Sequence, residues 1–242
     1  MSITLLGVVI VALTAAVVVA IFLVMWRARS LAHHSRIAVV SAVVLASWAL
    51  VTAALAERGF YQAPDPYGPP PIGIALGLAL LVFASCLLVS PSLRGLLTNQ
   101  RHLILLNLWR LVGVVFLVLM ANNQMPALWA LPAGIGDVIV GAAAPWIARH
   151  VETPEGKRRA IVFNVFGMAD LVVAVGLGVM TSPGPAQVFR TTPTAELATQ
   201  FPLALVPTFL VPLAFVLHVV SLWQLVDDTW VAQPAVSPVR SR

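Results

Sequence analysis

The sequence predicts an all-α fold, a polytopic integral membrane protein whose seven transmembrane helices form a single membrane domain over residues 1–242. Three observations predict it. Hydrophobic side chains make up 60% of the chain and charged ones only 10%, whereas a soluble domain carries about 25% charged residues. Apolar stretches of about 20 residues, long enough to cross a hydrocarbon core of ~30 Å, recur along the whole chain. The links between them are too short for a soluble domain, and the hydrophobicity excludes intrinsic disorder.

The predicted spans are, in chain order, 3–26, 36–56, 71–90, 102–122, 126–148, 160–181 and 202–226. The first is predicted to be a retained helix, because no Lys or Arg precedes it and it exceeds the apolar core of about 7–15 residues in a cleavable signal. Residues 1–100 are expected to form an apolar three-helix scaffold. Residues 101–226 are expected to form a four-helix part with a buried polar cluster, and residues 227–242 a cytoplasmic tail.

The basic residues predict an orientation. With the N-terminus outside and the C-terminus cytoplasmic, eleven Lys and Arg side chains fall in cytoplasmic segments and two, Arg58 and Arg190, in external ones. This is the positive-inside distribution, and it indicates the plasma membrane, the inner membrane of a bacterium. The pI near 10.7 does not indicate a nucleic-acid partner, because the basic residues are dispersed among apolar runs and not clustered on one face. Trp129 is expected at the outer interface.

Spans four to seven contain charges near mid-membrane, namely Arg110, Asp137 and Asp170. At a rise of ~1.5 Å per residue both aspartates fall near the middle of their spans, with Arg110 close in depth. A charge at that depth costs at least ~2.5–3.5 kcal/mol on the insertion scale, so the three are expected to meet. A planar guanidinium with five donors suits two carboxylates. The sequence therefore predicts that Arg110 bridges Asp137 and Asp170.

Three polar side chains, Asn107, Asn164 and His218, fall about one turn to the cytoplasmic side of these charges. Together with the charged residues they form the predicted ligand or proton pathway. If Arg110 pairs firmly with one aspartate, burial and the neighbouring negative charge favour a bound proton on the other, as in a proton-coupled site. The alternative is a structural clamp that only fixes helix packing.

Prolines inside the predicted spans are the second unusual feature. Pro132, Pro207 and Pro212 are expected to kink their helices, because an interior proline removes one helical hydrogen bond. Pro212 leaves the carbonyl of Thr208 without its helical donor, and Pro207 that of Leu203, so neighbouring groups must supply substitutes. The loops 57–71 and 181–201 are either simple connectors or a lid or partner surface.

No cofactor and no metal site are predicted. The motifs of zinc hydrolases, Walker-type nucleotide sites and c-type haem attachment do not occur in the sequence. A single histidine within a span, His218, is too few for a zinc enzyme. The one lysine, Lys157, lies outside the predicted spans, so a retinal Schiff base in the last span is excluded. Cys86 lies in an apolar run and is expected to be packed inside.

Three classes of function remain open at this stage. The first is a small proton-linked transporter or carrier. The alternative is a non-catalytic accessory or scaffold subunit whose buried charges are structural, with a lipid- or pigment-binding protein or a membrane-embedded enzyme as a third class. The lipid bilayer is the expected partner, and a homo-oligomer or a membrane-complex partner is consistent with the sequence.

Overall fold

The computed structural model describes residues 3–28, 32–62 and 68–226, so the predicted cytoplasmic tail, 227–242, lies outside the described residues. The described chain is helical and contains no strand. Seven of its helices are long and apolar enough to cross a membrane, which confirms the predicted fold class at that level. The helices are α1 (Ile3–Ala28), α2 (Ala32–Glu57), α3 (Pro71–Val89), the short α4 (Pro91–Leu96), α5 (Gln100–Ala121), α6 (Ala127–His150), α7 (Pro154–Thr181) and α8 (Val206–Val226).

Helices α5 to α8 pack into a bundle, in which α6 lies against both α5 and α7, and α7 lies against α8. Helices α1 and α2 pair with each other, α1 also contacts the middle of α5, and α3 packs against α8. We call one end of the bundle the Tyr61 end, defined by residues 58–62, 68–70 and 182–205. The other is the His150 end, defined by residues 90–101 and 148–154, where Arg101 of α5 donates to the Ala148 carbonyl at 3.2 Å.

Helix α5 is not α-helical throughout. Residues Leu106–Val112 form a 3₁₀ stretch in its middle. Because three residues make one turn of a 3₁₀-helix, residues three apart lie above one another. Asn107, Arg110 and Gly113 therefore align on one side, and Arg110 is placed toward α6 and α7.

Helix α8 begins at Val206 and not at residue 202, because residues 201–204 form a turn. Pro207 thus lies in the first turn of the helix, where a missing N–H interrupts no interior hydrogen bond. The carbonyl of Leu203, expected to lose its donor, accepts from the N–H of Val206 at 2.9 Å. Residues Val206–Leu210 form a π-helical turn, and Pro212 follows it in the α-helical part.

Helix α7 begins six residues earlier than its predicted span, at Pro154. Its charged first turns are helical because the Thr153 hydroxyl accepts from the N–H of Gly156 at 3.0 Å, and because proline is favoured at the first helical position. The apolar pattern marks only the part of the helix that enters the hydrocarbon region.

Burial on the apolar helices is not always what the sequence suggests. Trp129, in the first turn of α6, is buried against α7, and its indole N–H donates to the Ala174 carbonyl at 2.8 Å. Cys86 was expected inside the protein, but it is exposed on α3. Both lie in apolar helices, and hydropathy does not reveal which face of such a helix meets the bundle.

Candidate functional site

The centre of the bundle holds an ion cluster formed by Arg110, Asp137 and Asp170. Arg110 of α5 is fully buried, and its Nε donates to Oδ1 of Asp137 on α6 at 2.6 Å. Its Nη2 donates to Oδ2 of Asp170 on α7. The structure therefore contains the bridged arrangement that the sequence predicts. With both carboxylates ionised, the cluster has one more negative than positive charge.

The third nitrogen of Arg110 connects the ion cluster to His218 on α8. Nη1 donates to the Gly167 carbonyl at 3.2 Å and lies 3.1 Å from Nε2 of His218. A guanidinium has no acceptor, so Nε2 of His218 must accept and the proton of the neutral ring resides on Nδ1. That N–H then donates to Oδ1 of Asn164, 2.9 Å away. The network assigns one tautomer of a neutral imidazole.

From Asn164 a chain of hydrogen bonds continues to the His150 end. Nδ2 of Asn164 donates to the Ser221 hydroxyl at 2.8 Å, and that hydroxyl donates to Oε1 of Gln100 at 2.7 Å. Nε2 of Gln100 donates to Oε1 of Gln224 at 3.0 Å, and Gln224 donates to the Leu97 carbonyl. Along this path each donor lies on the His218 side of its acceptor, and Nε2 of Gln100 in addition donates back to the Ser221 carbonyl at 3.0 Å. We call the groups from His218 to Leu97 the amide network.

Two glycines leave the space that this arrangement needs. A Cβ at Gly136 of α6 would overlap the carboxylate of Asp170. A Cβ at Gly167 of α7 would overlap the ring of His218 and lie 3.1 Å from Nη1 of Arg110. The absence of side chains at these two positions lets α5, α6, α7 and α8 converge on one guanidinium.

The remaining predicted site residues lie outside the ion cluster. Asn107 is buried, its Nδ2 donates to the Leu103 carbonyl at 3.1 Å in its own helix, and its Oδ1 has no hydrogen-bond partner among the described residues. Pro132 lies inside α6, as expected. Within the part of the chain that the structure describes, no group of three or more His, Cys, Asp or Glu residues is placed to hold a metal ion.

A cavity of about 120 Å³ connects the ion cluster with the Tyr61 end. Asp137 lies at its inner end, and the exposed loop residues Gln62, Gly184 and Glu196 line its outer part. Between them the wall is largely apolar, with the rings of Phe116 and Trp129 at a centroid distance of 5.1 Å. Tyr61, Gln62 and Pro70 of the first loop and several residues between 182 and 199 of the second thus form part of the cavity wall.

A family model described as a domain of unknown function, DUF8737, matches residues 69–226. The chain belongs to this family. The matched residues contain α3 to α8, and with them the whole ion cluster, the amide network and most of the cavity wall. Comparison with curated proteins and with solved structures gives no match. The shared family therefore assigns no activity, and the site must be interpreted from its own chemistry.

Sequence reasoning did not find the amide network beyond Asn164, or the cavity. Ser221 lies three residues after His218 on α8, a spacing that puts both on one helix face, and that signal was available. Gln100 and Gln224 lie near helix ends, where polar residues are ordinary. The cavity depends on loops whose path the sequence does not reveal.

Proposed function

We propose that this DUF8737 protein is a small membrane carrier in which a proton or small cation enters the cavity and binds at Asp137. The observation that carries the proposal is the position of Asp137. This carboxylate belongs to a cluster with one more negative than positive charge, and it lines the cavity that reaches the Tyr61 end. A cation or a proton bound there would balance the charge. Ionisable residues inside a membrane commonly mark ion and proton pathways.

The direction of access follows from the positive-inside distribution. We propose that the His150 end faces the cytoplasm, because it contains most of the basic residues, including Arg94, Arg101 and Arg149. The Tyr61 end, with Arg58 and Arg190, then faces the outside. In this orientation the N-terminus is external, and the cavity opens away from the cytoplasm. The plasma membrane is the expected location.

Passage to the other side requires a conformational change, because the amide network occupies the space between the cluster and the His150 end. Amide groups donate and accept hydrogen bonds but have no ionisable proton to relay. Two segments of the bundle depart from α-helical geometry, namely the 3₁₀ stretch of α5 that contains Arg110 and the π-helical turn Val206–Leu210 at the start of α8. Such segments within helices often coincide with functional sites and hinges, and we propose that they absorb the movement.

Proton entry into liposomes tests the proposal. The purified full chain is reconstituted with a pH-sensitive dye inside, and a potassium diffusion potential, negative inside, drives protons inward. We expect a proton flux above that of protein-free liposomes, lost at least tenfold in Asp137→Asn. Glu152→Gln is the matched control, because Glu152 is exposed at the His150 end and outside the cavity lining. A correctly folded wild-type protein without flux would contradict the carrier proposal.

The accessory-subunit class also has an observation in its favour. All three nitrogens of the Arg110 guanidinium have partners in the protein. The amide network then ties α7, α8 and the start of α5 together. An arginine whose three nitrogens are all hydrogen-bonded within the protein is suited to a structural clamp that holds four helices in register. Absence of flux in a protein that remains folded would favour this second class and direct the search to partner proteins.

A further inference from the structure

The described residues that line the cavity include negative but no positive side chains. Asp137 at its inner end and Glu196 at its outer end are both acidic, and no Lys, Arg or His is among the described residues that line it. The rest of the wall is mostly apolar and includes the aromatic rings of Phe116 and Trp129. An anion would meet carboxylates without a cation to pair with, whereas a cation would find a carboxylate and aromatic faces.

Tyr61 adds a second, independent observation. It lines the cavity, it is only 2% exposed, and its hydroxyl has no hydrogen-bond partner among the residues that the structure describes. Burial raises the pKa of this phenol above its usual value, so the group is a neutral hydroxyl that can donate and accept. Buried polar groups nearly always have partners. An unpartnered hydroxyl in a cavity wall therefore indicates a polar group that the bound state supplies.

We infer that the cavity binds a small organic cation, with one apolar group the size of a benzene ring and one protonated amine. The volume of about 120 Å³ is somewhat smaller than the ~150 Å³ of an apolar cavity that holds benzene, but this cavity is open at the Tyr61 end, where part of a ligand can extend beyond it. Asp137 receives the ammonium group, the rings of Phe116 and Trp129 cover the apolar part, and Tyr61 supplies a polar contact. This inference rests on the proposed function of Asp137 as the ion-binding group and names the class of substrate.

Calorimetric titration of the detergent-solubilised full chain tests the inference with three probes of similar shape: benzylammonium, benzyl alcohol and benzoate. At pH 7 they are cationic, neutral and anionic. We expect benzylammonium to bind at least tenfold more tightly than benzyl alcohol, and benzoate to bind least. Because this comparison uses the wild-type protein, it does not depend on any variant folding. Equal affinities for the cation and the alcohol, no detectable binding of either, or a preference for benzoate, would overturn the inference.

Three variants locate the binding site. Asp137→Asn should weaken benzylammonium binding at least tenfold and remove its advantage over benzyl alcohol. Tyr61→Phe should weaken binding about two- to tenfold, and it leaves the ion cluster untouched. Glu152→Gln should bind like the wild type. Unchanged benzylammonium affinity in both Asp137→Asn and Tyr61→Phe would place any binding outside this cavity and overturn the inference.

The binding and flux measurements separate the two proposals. Benzylammonium binding without proton flux would support the cavity inference and contradict the carrier proposal. Proton flux through Asp137 without selective benzylammonium binding would contradict the cavity inference while supporting the carrier.

Discussion

Trp48 of α2 donates its indole N–H to the carbonyl of Thr208 in α8, at a distance of 3.0 Å. That carbonyl is the one from which Pro212 withholds the usual helical N–H four residues later. In a membrane a freed carbonyl finds no water and needs a donor from the protein. A side chain of α2 thus provides a donor for the irregular first turn of α8. Helices α2 and α8 are joined by a specific hydrogen bond as well as by packing.

The first prediction concerns this bond. Trp48→Phe retains an aromatic ring but leaves the Thr208 carbonyl without a donor. We expect the free energy of unfolding to fall by about 1 kcal/mol, in the range found for hydrogen bonds between membrane helices. The measurement is unfolding of the purified protein by titration of mild micelles with a denaturing detergent.

Pro212→Ala supplies the matched test. An alanine there restores a backbone N–H that can reach the Thr208 carbonyl, so the indole is no longer needed. In a double-mutant cycle, Trp48→Phe should therefore destabilise the Pro212→Ala background less than the wild type. Equal losses in both backgrounds would show that the tryptophan acts through packing and not through this bond.

The second prediction concerns the charges of the ion cluster. Arg110→Leu leaves Asp137 and Asp170 buried without a partner, and we expect a loss of about 3–5 kcal/mol or failure to fold. Asp170→Asn leaves a matched pair of Arg110 and Asp137, so its loss should be clearly smaller. Thermal denaturation of the two variants in the same detergent shows which of them loses more stability. Similar losses in both would contradict a cluster with one negative charge in excess.

The third prediction concerns orientation. In a Cys86→Ser background, cysteines are placed at the exposed positions of Glu196, near the Tyr61 end, and Glu152, at the His150 end. A membrane-impermeant maleimide added to intact cells should label Glu196→Cys, and should label Glu152→Cys only after the cells are permeabilised. The physical reason is the excess of basic residues at the His150 end. The opposite pattern of labelling would invert the proposed topology.

The sequence is enough to predict which segments form the long helices, because the membrane itself sets the length and hydropathy of an apolar run. It predicts less well the residues at which these helices begin and end. The last span was predicted from residue 202, and the turn at 201–204 belongs to the loop although its residues are apolar. Helix α7 extends beyond its apolar run because Thr153 caps a charged first turn. Where polar caps and turns decide the boundary, hydropathy does not locate it.

The ion cluster could be predicted from the sequence because an isolated charge inside a membrane is costly. That cost requires Arg110, Asp137 and Asp170 to meet, whatever the arrangement of their helices. No such requirement acts on neutral amides. Asn164 joins the amide network through α8, whereas Asn107, at a similar depth, donates only to its own helix. Which asparagine faces a partner depends on helix rotation, and the 3₁₀ stretch of α5 sets that rotation locally.

The fourth prediction concerns the space around the ion cluster. A methyl group at position 167 would overlap the His218 ring. A methyl group at position 176 of the same helix would have no neighbouring atom within 4 Å among the described residues. Gly176→Ala should be neutral or slightly stabilising, since alanine favours helix by up to ~1 kcal/mol over glycine. Gly167→Ala should lower the free energy of unfolding by about 1–3 kcal/mol through overpacking, and should also lower proton flux because Arg110 must shift. Equal stability and flux in the two variants would show that α7 does not hold His218 and Arg110 at this close approach.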